Sequence, residues 1–117
     1  MSYWGPEADD CDYAMTSIGA YVFLIKERMF LDAKNVIEKQ FPEQSIIASV
    51  AILRNIGREF PESVKIHFGK KEIKKAQEMF EEWYNLVDNK IPKKYKDELL
   101  QVAKKEFTLF LKELFNA

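Results

Sequence analysis

Four carboxylates crowd into six residues near the beginning of the chain: Glu7, Asp9, Asp10 and Asp12, within the stretch YWGPEADDCDYA. Clustered oxygens of this kind could ligate a cation. A calcium loop, however, alternates its ligands around a central glycine and ends on a glutamate, and that register is absent. Cys11, inside the same run, is the only cysteine of the chain. Its flanking acids, Asp10 and Asp12, disfavour a thiolate, so it reads as a small buried residue and not as a nucleophile. The only histidine, His67, lies in KIHFG. A general base needs a nucleophile or substrate and an orienting carboxylate within reach, and the sequence supplies no such pair. Phosphate-binding glycine loops, Gly-x-Ser-x-Gly elbows and His-Glu-x-x-His helices are also missing. The sequence therefore predicts no enzyme activity, no metal and no cofactor.

The acids have two other uses. With Asp9 as N-cap, Asp10 and Asp12 fall in the first turn of a helix, where each carboxylate meets the positive end of the helix dipole, worth roughly 0.3–1 kcal/mol. Capping leaves Glu7 unexplained, and so dense a cluster also suits a cationic partner. Aromatic residues make up 14% of the chain, sixteen rings in all. A small domain cannot bury that many completely, and exposed aromatics beside charges compose binding hot spots. Tyr3, Trp4, Tyr13 and Tyr95 are the candidates, with Trp4 folding back on the apolar body through a bend at Gly5-Pro6. The expected partner-binding surface is thus Tyr3, Trp4, Glu7, Asp9, Asp10, Asp12 and Tyr13.

A basic surface is the alternative. Residues 1–62 carry six Lys/Arg against ten Asp/Glu, whereas residues 63–117 carry twelve against nine, so a net charge of −1 conceals a polarised molecule. Lys70, Lys71, Lys74 and Lys75 form two i, i+4 pairs, and Lys93, Lys94 and Lys96 follow later; either cluster could meet phosphates. The three arginines, Arg28, Arg54 and Arg58, lie outside both clusters, although bidentate base recognition favours arginine. Glu72, Glu78, Glu81 and Glu82 would repel phosphate. A nucleic-acid-binding or regulatory role for the Lys70–Lys75 face is the second reading.

The elements that position these residues are helical. Ala14, Ile18, Tyr21, Val22, Ile25 and Met29 recur at steps of three and four. Between Tyr21 and Ile25 the helix is apolar on nearly all sides, which predicts the central helix of the fold. Asp32 can cap a shorter second helix with Val36, Ile37 and Phe41, closed by Pro42, or the first helix runs on through it. Pro42 and Glu43 open a third helix bearing Ile46, Ile47, Val50, Leu53 and Ile56, which ends at residues 57–61. ESVKIHFG alternates like a strand, yet no partner strand exists for it, so it is expected to be a structured connection. A fourth helix carries Ile73, Ala76, Phe80, Trp83 and Val87 and stops near Asp88-Asn89. A fifth follows Pro92 with Leu99, Ala103, Phe107, Phe110 and Leu114. The expectation is a single all-α domain, residues 1–117, with about five helices. At 47% apolar residues it is large enough for one core without disulfide or metal support. An acidic, aromatic beginning and the lack of a long apolar run predict a soluble cytosolic protein.

The early Trp4-Gly5, followed by Asp9-Asp10 and then CDYA, resembles the opening of a family of small bacterial helical proteins of unknown function. A short cytosolic all-helical chain with a polarised surface and no active site is also similar to the immunity proteins of contact-dependent and other polymorphic toxin systems. That resemblance implies a non-enzymatic inhibitor that binds a cognate toxin domain, a basic nuclease in the leading expectation, and blocks its active site.

Overall fold

The computed structural model describes residues 12–116, and the side chains of residues 17–116. Five helices make up the described chain: α1 (Asp12–Lys39), α2 (Ile46–Glu59), α3 (Pro61–His67), α4 (Lys70–Leu86) and α5 (Lys93–Phe115). The fold is an all-α bundle, and no strand occurs among the described residues.

α1 is one helix of 28 residues, so the second helix allowed for at Asp32 is its continuation. No glycine or proline interrupts residues 20–41, and extending a helix costs far less than nucleating a new one. Asp32 serves inside it, accepting a hydrogen bond from Arg28 Nε one turn earlier, at 3.2 Å. The helix ends in a Schellman motif: Gln40 N–H donates to the Ile37 carbonyl and Phe41 N–H to the Val36 carbonyl, with Gln40 left-handed at φ 52°. α4 and the turn that follows it fasten this corner. Trp83 Nε1 donates to the Phe41 carbonyl at 2.7 Å, and Lys90 Nζ donates to the Gln40 carbonyl at 2.8 Å.

α2 begins at Ile46, a turn later than the proline predicted, after Gln44 Oε1 has accepted a hydrogen bond from the Ile47 N–H. It ends where Pro61 takes the first position of α3, where a missing N–H costs no helical hydrogen bond. The segment expected to be a connection is therefore the short helix α3. Phe68 N–H, donating to the Val64 carbonyl at 2.7 Å, closes it. Glu72 Oε1 accepts from the Gly69 N–H at 2.9 Å and caps α4.

The core joins Val22 and Met29 of α1, Val50 and Leu53 of α2, Val64 of α3 and the aromatic group Phe68, Phe80, Trp83 and Phe110. Phe68 meets Phe110 edge-on at 5.4 Å and lies parallel to Phe30 at 6.0 Å. α1 touches three of the other four helices, as expected of a central helix, but it is not buried on all sides. α1 packs on α2, α3 and α4, while α5 packs on α2 and α4, so α1 keeps an open side. Tyr21, Leu24 and Leu31 stand exposed on it, while the partly exposed Phe23 packs against His67 of α3. α2 likewise touches three helices, α1, α3 and α5.

Two ion-pair assemblies lie between elements. Arg54 of α2 reaches α5, donating through Nε to Glu106 Oε2 at 2.5 Å, through Nη2 to Glu106 Oε1 at 3.2 Å and through Nη1 to Glu113 Oε2 at 3.0 Å. Arg58, one turn later, donates to Glu113 Oε1 at 3.1 Å. The Arg54 guanidinium, with help from Arg58, holds the Glu113 carboxyl below its ordinary range. Elsewhere, the buried Lys96 pairs with Asp88, and its Nζ lies 4.2 Å from the Tyr84 ring centroid.

Candidate protein-binding groove

An open groove of about 480 Å³ lies between α1, α2 and the start of α3, lined by Ile18, Tyr21, Asn55, Ile56, Glu59 and Phe60. Helical spacing assembles it: Ile18 and Tyr21 stand one turn apart on α1, and Asn55, Ile56 and Glu59 share one turn and a neighbouring position on α2. Phe60 occupies the bend before Pro61. Its own N–H still donates to the Ile56 carbonyl at 2.9 Å, so the bend forms without a loop and the ring stays beside the last turn of α2.

The walls are mostly apolar. Ile18, Ile56 and Phe60 are half-buried, and Tyr21 on the rim is 64% exposed. Polar groups sit at one edge. Asn55 Nδ2 donates to the Ala51 carbonyl at 2.8 Å and Oδ1 accepts from Arg58 Nη1 at 3.1 Å, which fixes the amide. Glu59 adds an exposed carboxylate. An apolar concavity with an exposed tyrosine and an acid at its edge is suited to receive an apolar or aromatic side chain flanked by a cation.

Tyr3, Trp4, Glu7, Asp9 and Asp10, together with Cys11, fall outside the described residues. Asp12 and Tyr13 begin α1, but their side chains fall outside as well. The helix places Asp12 about 9 Å before Ile18 along its axis. Tyr95, the remaining aromatic candidate, is exposed on α5.

His67 is half-buried, with its ring against Phe23 edge-on at 5.7 Å and its Nε2 facing the backbone of Gly19; it packs α3 onto α1. Lys70, Lys71, Lys74 and Lys75 are exposed along the start of α4. Two of them also cover half-buried rings at the edge of the core: Lys75 Nζ lies 4.4 Å from the Phe30 centroid, and Lys70 joins Lys65 over Phe115 at 5.6 and 5.5 Å. Lys96, grouped by sequence with Lys93 and Lys94 as a phosphate-facing cation, is instead buried against Asp88 and Tyr84.

Sequence reasoning missed the groove because it assigned Ile18, Tyr21 and Ile56 to the core. The available signal was excess: the stretch from Tyr21 to Ile25 carries more apolar side chains than one buried face accommodates.

The described residues thus form a five-helix bundle with one apolar groove on its open side. Among them, no group of three or more His, Cys, Asp or Glu side chains is placed to hold a metal ion, and no helix is long and apolar enough to cross a membrane. Set beside protein-family models, curated proteins and solved structures, the chain matches none.

Proposed function

We propose that the chain is a non-enzymatic protein-binding module, an immunity protein that captures a cognate bacterial toxin domain and blocks its active site. The observation that carries this reading is the groove between α1 and α2 with Tyr21 exposed at its rim, on the helix whose beginning follows the acidic run. A basic nuclease domain suits both features. Opposite charge at Glu7, Asp9, Asp10 and Asp12 would accelerate encounter, and a side chain desolvated in the groove would slow release.

The test is affinity capture from the source strain at low and high salt, with the wild-type chain, a Tyr21→Asp variant and an Asp10→Lys/Asp12→Lys variant. The expected result is one protein retained through high salt by the wild type and lost by Tyr21→Asp. That protein should be toxic when expressed alone and harmless beside this chain. Retention unchanged in both variants would remove the groove and the acids from the interface and end this reading.

A second reading rests on the convergence of Lys65 and Lys70 on Phe115, which adds a fifth cation to the face made by Lys70, Lys71, Lys74 and Lys75. It predicts steeply salt-dependent binding of RNA or DNA, lost on reversal of Lys71 and Lys74 to Glu. Absence of a mobility shift at low salt would dispose of it.

A further inference from the structure

The outer side of α1 contains a second feature, separate from the groove. Along LIKERMFL, residues 24–31, four side chains recur at helical steps on the open side: Leu24, Glu27, Arg28 and Leu31. Leu24 and Leu31 are 58% and 63% exposed, and both charged residues are exposed between them. The order apolar, acid, base, apolar has a particular symmetry. Read backwards, it is apolar, base, acid, apolar, the electrostatic complement of itself.

A two-fold interface requires that complementarity, because the same patch serves both partners and residue i meets j wherever j meets i. Lay a second α1 antiparallel to the first, with the dyad passing between Glu27 and Arg28. Leu24 then stands level with Leu31 of the second copy, and Glu27 with Arg28 of the second copy. Both pairings repeat on the other side of the axis. The two leucines lie about 10.5 Å apart along the helix, so the apolar pairs bracket a four-charge cluster of alternating sign. Immediately outside them, Ala20 and Asn35 would be level across the seam; both are small enough for helix axes about 8–10 Å apart. Parallel pairing has no such merit, since it sets Glu27 against Glu27 and Arg28 against Arg28.

Existing contacts leave the arrangement intact. Arg28 uses Nε for Asp32 of its own helix at 3.2 Å, one of five guanidinium donors. Glu27 has Lys26 Nζ at 3.6 Å from Oε1, a pair loose enough to be exchanged for a charge across the seam. We infer that α1 is a self-association face, on which a second copy of this chain docks antiparallel through Leu24, Glu27, Arg28 and Leu31. The apolar contact is small, so the charges supply register more than affinity.

Sedimentation velocity over a concentration series tests this with the full chain and three variants, Glu27→Arg, Arg28→Glu and Leu31→Asp, each checked for native helicity by circular dichroism. All three positions are exposed, so folding should survive. The wild type should dimerise. Each charge reversal should weaken the dimer by about tenfold or more by setting four like charges together, and Leu31→Asp should abolish it. An equimolar mixture of Glu27→Arg and Arg28→Glu chains should recover a dimer, because each then offers the other what it repels in itself. A wild type that stays monomeric, or a mixture that associates no better than its components, overturns the inference.

Discussion

Replacing Arg54 with methionine removes a charge while keeping most of the stem volume, which makes it the sharpest probe of what holds the groove wall in place. The Arg54 and Glu106 side chains are only 12% and 11% exposed, so the substitution strands a carboxylate largely out of water. Removing one partner of a buried ion pair costs roughly 3–5 kcal/mol. Glu113 is better exposed and keeps Arg58, so its share of the loss is small, and a total of about 3–5 kcal/mol is expected. Urea unfolding at neutral pH should show this as a lower midpoint at unchanged slope, and melting should fall by about 4 °C per kcal/mol for a domain of this size. Adding Glu106→Gln should recover much of the loss, because the stranded charge, and not the missing attraction, dominates the penalty. A cycle closing within about 0.3–0.5 kcal/mol of additivity would mean that the two residues do not interact energetically. The clamp would then play no part in fixing α2 against α5.

Three further outcomes follow from neighbouring features. Glu113, held below the ordinary value of 4.5 chiefly by its hydrogen bond to Arg54, contributes stability that is present above that pH and is lost as pH falls through its lower folded value; acid titration of Glu113→Gln should be flatter in that window, and an unchanged slope would refute the assignment. A Cβ at Gly57 would come within 2.7 Å of Leu114 Cδ2 and 3.2 Å of its Cγ and Cδ1. Gly57→Ala should therefore lose about 1 kcal/mol, an overpacking cost of roughly 1–3 kcal/mol exceeding a helix-propensity gain of about 1, and in a Leu114→Ala background its sign should reverse in denaturant unfolding. Gln40, left-handed at φ 52°, should accept glycine with a gain of about 0.5–1 kcal/mol, read as a higher melting temperature.

Periodicity made α4 and α5 legible because each has one buried face. Ile73, Ala76, Phe80, Trp83 and Val87 are all buried, as are Ala103, Phe107, Phe110 and Leu114, at the steps from which those helices were predicted. α3 escaped the same reading because seven residues make only two turns, too few for a helical period to separate from the alternation of Ser63, Lys65 and His67 with Val64, Ile66 and Phe68. Asp32 has a side chain able to cap and so suggests a boundary, yet capping preference acts only where the chain already breaks. With no glycine or proline nearby, the i, i+4 bond to Arg28 was the stronger use of the carboxylate.

The exposed face of α1 was not legible for a different reason, and that reason bears on function. When a helix is apolar all round, its pattern does not say which face is buried; burial on every side is the usual resolution. Four other helices are too few to enclose α1 here, because α5 spends its packing on α2 and α4. The core takes Val22, Met29 and Ala33 and leaves Tyr21, Leu24 and Leu31 in solvent. Those three add nothing to the interior, and exposed apolar area offers the folded state no advantage in water. They divide between two places: Tyr21 at the mouth of the groove, Leu24 and Leu31 around the Glu27-Arg28 pair. Surplus apolar residues scattered at random would be ordinary for a protein surface. Here one set adjoins a concavity and the other brackets a self-complementary charge pair, which is the arrangement the two proposed contact surfaces require.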